Sequence, residues 1–158
     1  ITIYMNMQER SQKYKGKFTP QNSSKYIGDS DNIVYRSMWE RRCMKYFDTN
    51  SSVIAWASEE VSIPYYDTAT KRVRRYFPDF LIKVKDKNGK LKTHLIEVKP
   101  TKDLRPPVGG RGKKRSTVLY EAKTYQMNRD KFASARKWCD ERNITFDIWT
   151  EKHLQMKG

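Results

Sequence analysis

The stretch Tyr76-Phe-Pro-Asp-Phe-Leu-Ile-Lys-Val-Lys85, then Asp86-Lys-Asn-Gly-Lys90, then Leu91-Lys-Thr-His-Leu-Ile-Glu-Val-Lys-Pro100 decides how this chain folds. Two β-rich runs flank Asn88-Gly89, the strongest short-range signal for a hairpin turn. The fold-back carries the two ends of the stretch toward each other. Asp79 opens the first strand, and Glu97 and Lys99 close the second.

The turn sets the register. A two-residue Asn88-Gly89 loop would pair Lys87 with Lys90 and set Asp79 opposite Val98. A three-residue loop, with Gly89 left-handed in a bulge, pairs Asp86 with Lys90 instead. Asp79 then faces Glu97, and directly opposed residues share one face of a sheet. Lys99, two residues beyond Glu97, points the same way. The three-residue register is favoured because it gathers the three charged side chains.

Two carboxylates held together repel unless a cation lies between them. Mg²⁺ takes one or two carboxylates together with waters and substrate phosphates. A neighbouring lysine can orient an attacking water or steady charge building on a phosphate. Asp79, Glu97 and Lys99 around Mg²⁺ therefore describe a phosphodiester-hydrolysing site. Pro78-Asp79 followed by Glu97-Val98-Lys99 resembles the motif of the PD-(D/E)XK nuclease superfamily, whose fold is restriction-endonuclease-like. The plain alternative is a strand-entry Pro-Asp turn and an exposed edge carrying a surface ion pair.

Upstream of the hairpin, residues 1–32 are polar and basic and read as an extended arm before a nuclease domain at 33–158. The chain opens on Ile1, so residues upstream of it are expected. Lys13, Lys15, Lys17 and Lys25 alternate with Tyr14, Phe18 and Tyr26. Such interleaving suits nucleic-acid contact, and it suits equally a tail packing its rings on the core. Ser37 to Tyr46 reads as the first helix. Glu40 shares a stripe with Cys43, Met44 and Phe47. A carboxylate on an apolar stripe needs a partner or a metal, and an ion pair with Arg36 or Lys45 would also serve. The resemblance implies that Glu40 joins the site. Val53 to Trp56 extends the helix or begins a strand. Val61–Tyr66 and Arg72–Phe77 read as strands about a turn at 67–71, with Pro64 marking an edge or bulge.

Downstream, residues 101–117 carry prolines, glycines and six cations: Lys102, Arg105, Arg111, Lys113, Lys114 and Arg115. Regular structure is not expected there. A mobile basic loop leaving the second strand would close over a DNA backbone. Val118 to Arg142 is the longest helix, with Ala122, Tyr125, Phe132 and Cys139 as its inner stripe. Lys123, Gln126, Asn128 and Lys131 are its polar candidates. Related nucleases supply a Gln, Asn or Lys from this helix, and Gln126 is the first choice. Ile144–Trp149 completes the order αβββαβ, an α/β mixed central sheet flanked by helices, its last strand parallel to that of Glu97.

Composition bounds the partners. Lys and Arg number 33 against 18 acids, a net charge of +15, which predicts salt-sensitive attraction to polyanions. Cys43, Cys139, His94 and His153 form no zinc-spaced cluster, and buried free thiols suit a reducing cytoplasm. There is no secretory signal and no membrane-length apolar run. From about Tyr14 to His153 the chain also resembles the head-completion nucleases of T-even-type tailed phages. Lys25-Tyr-Ile-Gly-Asp29, Arg36-Ser-Met-Trp-Glu40, Pro78-Asp-Phe80 and Glu97-Val-Lys-Pro100 carry that likeness. More distantly it is similar to the nuclease subunits of heteromeric transposases.

These resemblances imply a Mg²⁺ (or Mn²⁺) site at Asp79, Glu97 and the Val98 carbonyl, with Glu40 supporting a second ion or a water. They imply Lys99 and Gln126 as catalytic helpers. They also imply double-stranded DNA or DNA ends and phage head or portal proteins as partners, in host cytoplasm and virion. Neither a membrane nor a nucleotide cofactor is expected. A non-catalytic DNA-binding assembly factor and a basic capsid plug are the readings from other classes.

Overall fold

The computed structural model describes residues 15–156. Strands β1 (Gly16–Phe18) and β2 (Ile33–Tyr35) pair antiparallel ahead of helix α1 (Met38–Thr49). Strand β3 (Val53–Ser58) precedes a ribbon of β4 (Ile63–Asp67) and β5 (Arg72–Tyr76). The hairpin of β6 (Phe80–Lys85) and β7 (Leu91–Val98) follows. A 3-10 turn at Thr101–Leu104 leads to helix α2 (Arg115–Asp140), strand β8 (Thr145–Trp149) and helix α3 (Glu151–Met156). The central sheet runs β3-β6-β7-β8, antiparallel except for the parallel β7–β8 pair. This is the mixed, helix-flanked sheet of a restriction-endonuclease-like fold.

The hairpin closes through the three-residue loop. The Asp86 N–H donates to the Lys90 carbonyl at 2.9 Å, and the Gly89 N–H donates back to the Asp86 carbonyl at 3.0 Å. Gly89 sits at φ +77°, a left-handed angle that glycine adopts without a Cβ clash. The Asp86 carboxylate locks the loop further by accepting from the Asn88 and Lys90 N–H groups. Phe80 therefore pairs with Ile96, which sets Asp79 opposite Glu97.

Alternation along this pair builds a two-sided core. Phe80, Ile82 and Ile96 face α1, where Phe47 packs its ring 5.1 Å from Phe80 and 5.6 Å from Trp149. Leu81 and Leu95 face the opposite layer, with Ala135 and Cys139 of α2 and Ile63, Tyr65 and Tyr76 of the ribbon. Cutting Phe47, which has no exposed surface, to Ala would cost about 3–5 kcal/mol.

Several elements depart from the sequence reading. The three antiparallel strands of the core are β3, β6 and β7, and the predicted 61–66 and 72–77 strands form a separate ribbon. Residues 16–35 are not an extended arm. Tyr26 and Phe18 pack their rings edge-on against Trp56, at 4.8 and 5.8 Å. Buried Asp48 anchors the same segment by accepting from the Gln21 and Asn22 N–H groups. Lys13 and Tyr14 lie outside the described residues.

In the basic segment, Pro106 and Pro107 keep the middle irregular. Thr101–Leu104 precedes them and coils, while α2 starts at Arg115 because Arg115, Ser116 and Thr117 contain no breaker. The segment is tied down, since the Lys113 ammonium reaches Glu121 at 2.8 Å and the Val108 carbonyl at 3.3 Å. The expected inner stripe of α2 holds only from Asn128 onward; Ala122 is exposed and Tyr125 half-buried, while Phe132 and Cys139 are buried. Cys43 and Cys139 are buried free thiols, and burial pushes the Cys139 thiol up to about 11. No helix among the described residues is long and apolar enough to cross a membrane.

Candidate active site

Asp79, Glu97 and Lys99 meet at one end of the central sheet. The register places the two acids across from each other, and the alternation of β7 carries Lys99 onto the same face. The Lys99 ammonium lies 3.1 Å from Glu97 Oε1. The Tyr76 hydroxyl donates to Glu97 Oε2 at 2.6 Å, a short charge-assisted bond. Glu97 is only 5% exposed, so these two donors are what makes its buried charge tolerable. Asp79 Oδ2 accepts the Val98 N–H at 2.7 Å, tying the strand entry to the backbone between Glu97 and Lys99. Among the described residues, Asp79 Oδ1 accepts no hydrogen bond.

The electrostatics bear the mark of crowded acids. Burial pushes the Asp79 carboxyl well above the usual range, and the facing Glu97 pushes the same way, against the Val98 hydrogen bond. Burial likewise raises Glu40, which comes from the first turn of α1 in the opposite layer; Glu59 and Glu97 add to that shift. Glu40 has a helix-start role as well. Its N–H donates to the Ser37 hydroxyl at 3.2 Å, and its carboxylate accepts the Arg36 N–H at 2.8 Å, close to a capping box. The guanidinium of Arg36 turns elsewhere, forming two 3.1 Å bonds to Glu59. Glu59 holds the left-handed φ of +53° and donates its N–H to the Asp79 carbonyl, so this ion pair braces the strand entry.

The long helix contributes a different residue from the one expected. Gln126 is exposed, and its carboxamide donates to Asp130 at 3.0 Å, so the structure does not bring it to the cluster. Lys131 is brought there. Its ammonium stands 5.8 Å from the Tyr65 ring centre and 5.5 Å from that of Tyr76, the phenol bound to Glu97. Burial holds this ammonium below the ordinary lysine range, with Lys99 adding to the effect and Glu97 opposing it. Lys131 was one of four polar positions on the helix, and nothing in its spacing singled it out. Tyr76 lay in the deciding stretch, but its role needs the ribbon to fold over β7.

The donor set fits a hard divalent cation. Among the described residues no three His, Cys, Asp or Glu side chains converge as a closed cage. Mg²⁺ does not require one, since a carboxylate pair completed by waters and phosphate suffices. Asp79 and Glu97 are such a pair, with Asp79 Oδ1 unclaimed and a like-charge repulsion that a cation would relieve.

The fold is of the restriction-endonuclease-like class, that of the PD-(D/E)XK nucleases. A family model described as "TnsA-like endonuclease N terminal" matches residues 50–151, and the chain belongs to that family. The chain is also 41% identical over 150 residues to the head completion nuclease of Enterobacteria phage T4, covering 92% of this chain and 96% of that one.

Proposed function

We propose that the chain is a divalent-metal-dependent deoxyribonuclease that hydrolyses phosphodiester bonds during phage head completion and DNA packaging. The observation that carries this reading is the pairing of Asp79 with Glu97 in register, with the Lys99 ammonium 3.1 Å from Glu97. Asp79, Glu97 and the Val98 carbonyl would hold Mg²⁺ or Mn²⁺, and Glu40 would support a second ion or an ordered water. The bound ion supplies charge neutralisation at the phosphate and a more acidic water.

The chain's own groups do the remaining work. Tyr76 orients Glu97 through its 2.6 Å bond to Oε2. The Val98 N–H fixes Asp79 in the same manner. Lys99 would release Glu97 and place its ammonium against the water and the developing phosphate charge. Lys131, whose ammonium burial holds below the ordinary lysine range, is suited to exchange a proton at that phosphate. We retain Gln126 only as a candidate for DNA contact.

DNA is the substrate that the net charge of +15 favours. Head or portal proteins are the partners suggested by the phage relative, with host cytoplasm and virion as the location. A transposase-type subunit is the weaker reading, because that family model reaches residues 50–151 while the phage relative spans 92% of the chain. The test incubates wild type and Asp79→Ala with supercoiled and linear DNA in Mg²⁺ or EDTA. Strand scission by wild type in Mg²⁺ alone is expected. DNA binding without scission would reduce the protein to a non-catalytic assembly factor.

A further inference from the structure

A cavity of about 610 Å³ lies between the basic segment and the first half of α2. It is distinct from the acidic cluster but adjoins it in the chain. Lys102, one of its lining residues, is three residues past Lys99, which is at most about 11 Å of backbone.

The lining is unusual for a surface cleft. Asn128 is 7% exposed and faces the cavity, yet its carboxamide hydrogen-bonds to no described residue. Those amide atoms are not sealed from solvent, so they are open to whatever enters the cavity. Tyr120, 71% exposed, and Tyr125 supply ring faces. An unpartnered ring this exposed on a helix contributes little to the fold. Lys102 and Arg105 form no ion pair among the described residues, whereas Lys113 already neutralises Glu121 at 2.8 Å. Among the described residues the cavity therefore keeps two cations outside any ion pair.

Rings for stacking, cations for phosphate and one buried amide are the features of a single-strand nucleotide site. An amide offers a donor and an acceptor side by side, which matches the edge of an unpaired base. A volume of about 610 Å³ falls within the range of ligand pockets and exceeds what one amino-acid side chain needs. We propose that this cavity binds an unpaired nucleotide of DNA on the strand whose phosphate lies at Asp79 and Glu97. The protein then acts on DNA carrying single-stranded tails or flaps rather than on uninterrupted duplex. The inference rests on the nuclease reading for its ligand and deepens it by naming the substrate class.

The experiment compares a blunt hairpin duplex with the same duplex bearing a three-nucleotide 3′ or 5′ tail that contains 2-aminopurine. Full-length protein is titrated in EDTA, and both anisotropy and 2-aminopurine fluorescence are recorded. One tail polarity should bind about tenfold more tightly than the blunt duplex and show quenched fluorescence, as expected of a base stacked on one ring. Tyr120→Ala and Asn128→Leu should bring that ratio close to one, while Tyr120→Phe should keep it. Tyr120 lies too far in solvent for its loss to unfold the chain, and a thermal melt of Asn128→Leu is run alongside to check that it is folded. A wild-type ratio near one, or a ratio unchanged in both Tyr120→Ala and Asn128→Leu, overturns the proposal. Mg²⁺-dependent scission without tail preference would sink the nucleotide site and spare the nuclease. A Tyr120-dependent preference without scission would do the reverse.

Discussion

Replacing Asp79 by Asn should make the protein more stable and inactive at once. Directly opposed residues of an antiparallel pair hold their Cβ atoms about 5 Å apart. Two like charges at that separation, in surroundings of effective dielectric about 20, repel by about 3 kcal/mol. The Lys99 ammonium beside Glu97 and the solvent touching Asp79 reduce this, leaving a gain of about 1–3 kcal/mol when one charge is removed. Asn keeps the carbonyl oxygen that accepts the Val98 N–H, so the strand entry is not undone. For a domain of this size the gain raises Tm by about 3–9 °C.

The pH dependence identifies the cause. The folded-state value of Asp79 is raised, so the wild-type penalty is absent below the ordinary aspartate range. It grows as pH climbs through the raised value. Circular-dichroism melts in EDTA from pH 4 to pH 8 should show the variant's advantage opening with pH. Added Mg²⁺ should then stabilise wild type but not Asp79→Asn. A variant melting at or below wild type at pH 8, or a gap that ignores pH, would refute the crowded-acid account of the site.

Tyr76→Phe removes the 2.6 Å bond to a buried carboxylate, a loss of about 1.5–3 kcal/mol, and should lower Tm by about 4–9 °C. Thermal melts measure this, and an unchanged Tm would mean that Glu97 does not depend on the phenol. Lys131→Met keeps the packing against Tyr65 and Tyr76 while deleting the charge; single-turnover cleavage should slow by at least about tenfold with DNA affinity little changed. Asp48→Ala should cost about 3 kcal/mol by orphaning the Gln21 and Asn22 N–H groups, and limited proteolysis should then cut first within 16–26.

The acidic pair was legible because the information is local. Asn88-Gly89 and the Asp86 carboxylate determine the loop, the loop determines the register, and a strand's period of two carries Lys99 to the face of Glu97. The parallel β8 was legible for a similar reason, since a helical crossover of this length leaves few other arrangements. Periodicity said less about α2. Its apolar spacing continues through Leu119 and Ala122, but burial begins only at Asn128.

Everything that surrounds the acids came from tertiary packing. Tyr76 bonds Glu97 only because the ribbon folds over β7, and Lys131 reaches the cluster only because α2 packs on the ribbon that carries Tyr65 and Tyr76. Gln126, one and a half turns earlier, is chemically as apt but points to Asp130. By itself, the sequence determined the hairpin, its register and the three charged residues, because each follows from neighbours along the chain. Only the folded molecule decided which distant groups set their charge and orientation. Those contacts depend on how layers stack, and no spacing within one strand or helix encodes that.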